Sequence, residues 1–151
     1  MTLLEQLAGL SLGAVRCALG IALAWAALGK TRGFAPWRRG LANYGLRGAP
    51  LEIVALGVIA VEALAAAFIF SPASDRSAGL VGSALGAAFV ATQSYLLAAG
   101  ERVPCLCFGD ATEPVSIRSW TKAALVLVAG LLLLFAGRDA GWSHHALVRG
   151  S

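Results

Sequence analysis

Apolar residues fall in four long runs separated by short polar stretches. The first run covers about Leu7 to Leu28, the second Leu51 to Phe70, the third Gly79 to Ala99 and the fourth Ile117 to Ala136. A helix needs about 20 consecutive apolar residues to cross a bilayer, so each run is a candidate span. Polar punctuation agrees with these limits: Gly29-Lys30 closes the first run, Ser71-Pro72 the second, and Asp75 and Arg76 mark a short turn before the third. Trp120 and Lys122 stand at the entrance of the fourth as interfacial anchors. The pattern predicts an all-α membrane protein, a four-transmembrane-helix bundle forming one integral membrane domain over residues 1–151, with a polar tail at 137–151.

Between Lys30 and Pro50 the pattern changes. Phe34, Trp37, Leu41 and Tyr44 fall within about 80° of one another at helical spacing, with Arg32, Arg39 and Asn43 opposite. This predicts a short amphipathic helix lying in the membrane interface between the first and second spans. Small-residue spacings, Gly9 with Gly13 and Gly82 with Gly86, offer surfaces where a second helix can approach closely.

Composition narrows the class. Of 151 residues 58% are hydrophobic and only 13% charged, and the mean hydropathy is +0.76, which is not the balance of a soluble domain. The net charge of +4 comes from basic residues in the connecting segments, where they meet lipid headgroups and set topology. Membrane lipid is therefore an expected partner and nucleic acid is not. A cleaved signal peptide is not expected at the amino end, because no Lys or Arg precedes the first apolar run and Arg16 sits within it. The last residues, Leu147 to Ser151, read as the remnant of an added tag.

Two charges lie inside spans. A lone charge there costs at least about 2.5 to 3.5 kcal/mol, so Arg16 and Glu62 each require a reason. Arg16 is 14 residues before Lys30 and Glu62 is 12 residues after Pro50, or roughly 21 and 18 Å along their helices. At matching depth in an antiparallel pair, the two are expected to contact each other, either to fix register or, at Glu62, to relay protons. Cys17, beside Arg16, is expected to be core filler. Gln93, with Thr92, Ser94 and Tyr95 near the end of the third span, is placed to face the following loop.

That loop holds the most reactive stretch, Pro104-Cys105-Leu106-Cys107-Phe108-Gly109. Fully extended, Cα atoms two residues apart are roughly 6.6 to 7.2 Å apart, at the upper edge of what a disulfide accepts. Closure requires a bend, which Pro104 and Gly109 favour. A strained, exposed disulfide exchanges readily. Three readings remain open from these residues: a redox pair, two thiolates holding a soft metal such as copper, or two small hydrophobes that never meet.

The residues also resemble the MauE branch of the MauE/DoxX-like membrane proteins. The resemblance rests on Arg16 with Gly20 and Lys30, Phe34, Tyr44-x-Leu46, Glu62, and the specific Cys105-x-Cys107-Phe108-Gly109 element before Ser119-Trp120. The chain departs from the family in its last span, where Lys122 is followed only by apolar residues in place of an Arg-Asn pair. The resemblance implies a four-helix bundle supporting thiol redox maturation of other proteins beside a thioredoxin-like partner. On that basis Cys105 and Cys107 are the expected catalytic residues, with Arg16, Glu62, Gln93, Phe108 and Gly109 supporting. A quinone is compatible, but no residue pattern specifies it. The competing functions are a soft-metal carrier and a non-catalytic docking subunit. Carriage is disfavoured because, apart from Cys17, the spans hold no further soft ligand, the single methionine being Met1.

Orientation is read from charge. With four spans, one face collects Lys30, Arg32, Arg38, Arg39, Arg47, Arg102, Arg118 and Lys122, and the other Arg76, Arg138 and Arg149. The excess of basic residues predicts a multi-pass cell-membrane protein with the cysteine loop at the cytoplasmic face; the alternative is the extracytoplasmic face, where disulfides persist and secreted substrates would be oxidised.

Overall fold

The computed structural model describes residues 3–42, 45–100 and 115–137. Among the described residues five helices follow one another: α1 (Leu3–Arg32), α2 (Phe34–Ala42), α3 (Ala49–Phe70), α4 (Asp75–Ala99) and α5 (Ile117–Ala136). Four of them, all but α2, are long and apolar enough to cross a membrane. The apolar runs of the sequence lie inside these helices. The main differences are at α1, which continues through Lys30, and at α4, which starts at Asp75.

Helix ends follow local chemistry. Ser74 caps α4 by accepting the Ser77 N–H, and α4 closes at Gly100, whose φ of 68° is left-handed. Ser116 and Ser119 form a reciprocal capping box at the start of α5.

The shared core is built from Leu19 and Leu23 of α1, Ala65 and Ile69 of α3, Ala78 and Phe89 of α4, and Ala123, Val126 and Leu133 of α5. Large apolar side chains such as Leu64, Leu125 and Phe135 point outward, as suits surfaces solvated by lipid. Packing is closest between α4 and α5. There the Gly82 and Gly86 spacing of the sequence does its part, because Gly86 lies against the Leu127 backbone and Gly130 against Gly82 and Ser83. Gly9 and Gly13 have nothing nearby, so that small-residue pair packs against no described residue.

The amphipathic segment does form a helix, and its apolar face is turned against α3. Trp37 and Leu41 pack on Leu51 and Ala55, and the Trp37 Nε1–H donates to the Ala55 carbonyl at 3.2 Å. Tyr44 lies outside the described residues.

This placement of α2 overturns the expected Arg16–Glu62 contact. The first turns of α3 run past the end of α1, occupied on that side by α2, so α3 is displaced along α1 relative to a simple hairpin. Gly20 consequently faces Phe70, and Arg16 reaches the far end of α3. Its Nε donates to the Ile69 carbonyl at 2.7 Å and its Nη2 to the Ser71 carbonyl at 2.6 Å. Its Nη1 pairs with Asp75 Oδ1 at 2.8 Å. A guanidinium here satisfies carbonyls that a helix C-terminus leaves without partners and opposes the negative end of its dipole. Arg16 thus staples the α3–α4 turn to α1. Arg16→Leu is expected to lower stability by about 1.5 to 3 kcal/mol, the scale for losing hydrogen bonds to a charged group. Asp75→Asn, which keeps both carbonyl bonds, should cost less. Thermal unfolding of both variants in one detergent checks the order, and an equal loss would mean that the carbonyl bonds contribute nothing.

Cys17 is likewise corrected. It is exposed, because Leu19, Leu23, Ala26 and Lys30 define the buried face of α1 and Cys17 falls on the opposite one.

Candidate functional site

The partner of Glu62 is Lys30. The Lys30 Nζ donates to Glu62 Oε1 at 2.8 Å and to Oε2 at 2.9 Å, and both side chains are almost wholly buried, at 2% and 1% exposure. Lys30 reaches this depth because Leu23, Ala26, Ala27 and Lys30 follow helical spacing on the same inward face, and α2 covers the outside. The ammonium also lies 5.3 Å from the centroid of the Trp37 ring and 5.8 Å from that of Phe89, within cation–π range.

Gln93 joins the same region from α4. It is fully buried, and its Oε1 accepts from the Ser119 hydroxyl at 3.0 Å. The Ser119 Oγ is also 2.8 Å from the Ser116 carbonyl, so its one proton is shared between two acceptors. Trp120, one residue on, donates its Nε1–H to Ser94 Oγ at 2.9 Å. These bonds tie the start of α5 to the end of α4.

Lys30, Glu62 and Gln93 border a cavity of about 710 Å³ between α3 and α4, which Trp37 and Leu41 of α2 also line. Its remaining walls are mainly apolar, and Val115, just before α5, is among them. The cavity exists because α3 and α4, although consecutive in the chain, make few contacts.

Of the supporting residues expected from the sequence, Glu62 and Gln93 therefore meet at one cavity, while Arg16 stands apart at the α3–α4 turn. Cys105, Cys107, Phe108 and Gly109 lie outside the described residues. Lys30 was missed as a site residue, because its position after Gly29 at the end of an apolar run reads as a membrane boundary. The signal that could have found it is its register with Leu23 and Ala26. Among the described residues no cluster of three or more His, Cys, Asp or Glu could hold a metal ion.

No curated protein and no solved structure matches the chain. A family model described as methylamine utilisation protein MauE matches residues 8–136. That stretch takes in α1 from residue 8 onward, the whole of α3, α4 and α5, the Lys30–Glu62 pair and the Cys105-x-Cys107 sequence, and so the chain belongs to the MauE family of multi-pass membrane proteins.

Proposed function

We propose that this protein is a membrane thiol-disulfide redox protein in which Cys105 and Cys107 exchange a disulfide with a cysteine-bearing, thioredoxin-like partner and so support the maturation of other proteins. In one turn the Cys105–Cys107 dithiol gives two electrons and two protons, and the partner's disulfide takes both to become a dithiol. The reverse exchange uses the same atoms.

The observation that carries the reading is where the cysteine segment is anchored. It leaves α4 at Gly100 and rejoins the described chain at Val115, which lines the cavity beside Lys30, Glu62 and Gln93. Cys105 follows Gly100 by five residues, a reach of at most about 18 Å. A reactive pair tethered at that end has buried polar groups within reach. The basic residues gathered on this face favour a cytoplasmic position for the loop.

Differential alkylation in membranes tests the reading, in a Cys17→Ser background so that only two thiols remain. Two additional thiols are expected to become reactive after reduction, and Cys105→Ser should abolish the reducible pair. A membrane-impermeant maleimide applied to reduced, intact cells should label them only after permeabilisation. Two permanently free thiols under oxidising conditions, with no mixed disulfide to any partner, would sink the redox reading. Labelling before permeabilisation would reverse the orientation.

A further inference from the structure

The cavity between α3 and α4 has a construction that points to a ligand. Its volume, about 710 Å³, is in the range of small-molecule sites, roughly 300 to 1,000 Å³. Ile53, Val61 and Ala88 line it and are also exposed on the outside of the bundle, so it opens sideways, toward the apolar interior of the bilayer. At its inner end stand Lys30, Glu62 and Gln93, with the Trp37 and Phe89 rings both within 6 Å of the ammonium. One mainly apolar space is thus bordered by a compact polar and aromatic corner.

Charge selects among amphiphiles. Both oxygens of Glu62 are engaged by Lys30 at 2.8 and 2.9 Å, so the corner is neutral as a whole. A phosphate or carboxylate head would bring a negative charge beside Glu62, and an ammonium head a positive one beside Lys30, each desolvated and without a countercharge of its own. An uncharged head avoids this cost. Polar side chains suit a head with carbonyl oxygens, and the Trp37 and Phe89 rings suit a flat one.

We propose that this cavity binds a membrane quinone: a planar, uncharged ring bearing carbonyl oxygens, seated against Lys30, Glu62 and Gln93, with its hydrocarbon tail leaving between α3 and α4. The inference uses only described residues and stands whether or not the cysteine pair is redox-active.

Gly57 provides a test that spares the polar corner. It lines the cavity, and a Cβ built on it meets nothing within 4 Å, so Gly57→Phe can fill the space without pushing helices apart. Decylubiquinone is titrated into the full chain in quinone-free phospholipid nanodiscs, with empty nanodiscs as the baseline and decylbenzene as the analogue lacking carbonyls. Saturable binding of decylubiquinone is expected, at least about tenfold tighter than decylbenzene and weakened at least about tenfold by Gly57→Phe. Should Gly57→Phe fail to insert, Val61→Trp carries the same measurement from the next turn. Gln93→Leu should remove the preference for decylubiquinone over decylbenzene. The Cys105→Ser/Cys107→Ser variant should bind as the unaltered chain does, which separates this inference from the thiol reading. Uptake no greater than in empty nanodiscs, equal binding of decylbenzene, or indifference to the filling substitution would each overturn it.

Discussion

Glu62→Leu is expected to destabilise the bundle by about 3 to 5 kcal/mol, the scale for removing one partner of a buried ion pair. The loss arises less from the missing attraction than from what remains. Lys30 is 2% exposed, and its ammonium lies among Trp37, Phe89 and apolar walls. Lys30→Met leaves the complementary fault, a carboxylate that is fully buried. The double variant Lys30→Met/Glu62→Leu removes both charges at nearly constant volume and should recover most of either single loss. Unfolding of the four proteins in one detergent gives the double-mutant cycle. Purely additive losses would mean that the pair does not act as a unit. If the double variant is stable, its function can be measured apart from its folding, which distinguishes a pair that only sets register from one that serves the cavity.

Gly130→Ala is expected to destabilise the bundle although it adds only one methyl group, because Gly130 is where α5 meets the α4 backbone. A Cβ there collides with the backbone at Gly82 and Ser83, and backbone cannot rotate away as a flexible side chain can. Overpacking of this kind costs about 1 to 3 kcal/mol and sometimes more, which exceeds the gain of about 0.8 to 1 kcal/mol in helix propensity from Gly to Ala. Gly57→Ala is the control, because nothing lies within 4 Å of its added methyl. It should stay within about 1 kcal/mol of the unaltered protein. Melting temperatures of the two variants check the contrast, and similar effects would mean that α4 and α5 separate easily.

The elements were legible in the sequence because lipid imposes a coarse rule: about 20 apolar residues per crossing. The second and fourth apolar runs match α3 and α5 to within two residues. Pairing of the buried charges was not legible. Counting depth from Lys30 and Pro50 treats them as level ends of one hairpin, but α2 occupies the side of α3's first turns and shifts the register. Glu62 thereby moves away from Arg16 and meets Lys30. The carbonyl partners of Arg16 left no trace in residue type either, since every residue has a carbonyl. Gln93 was legible as a polar residue late in a span, whereas its bond to Ser119 depends on how α4 and α5 cross.

The pairing of charges has a consequence for biosynthesis. Both halves of the buried pair lie on α1 and α3, and the two carbonyls that engage Arg16 belong to the end of α3 and the residue after it. These two crossing segments, made before α4 and α5, therefore carry the partners needed to mask Lys30 and Glu62 and most of those needed by Arg16. If they leave the insertion machinery together as a hairpin, neither buried charge faces hydrocarbon alone while α4 and α5 are still being made. The second hairpin has the opposite character. Its glycine-lined crossing contains no buried ion pair among the described residues, so it can insert on apolar character alone and dock onto a partner already neutral.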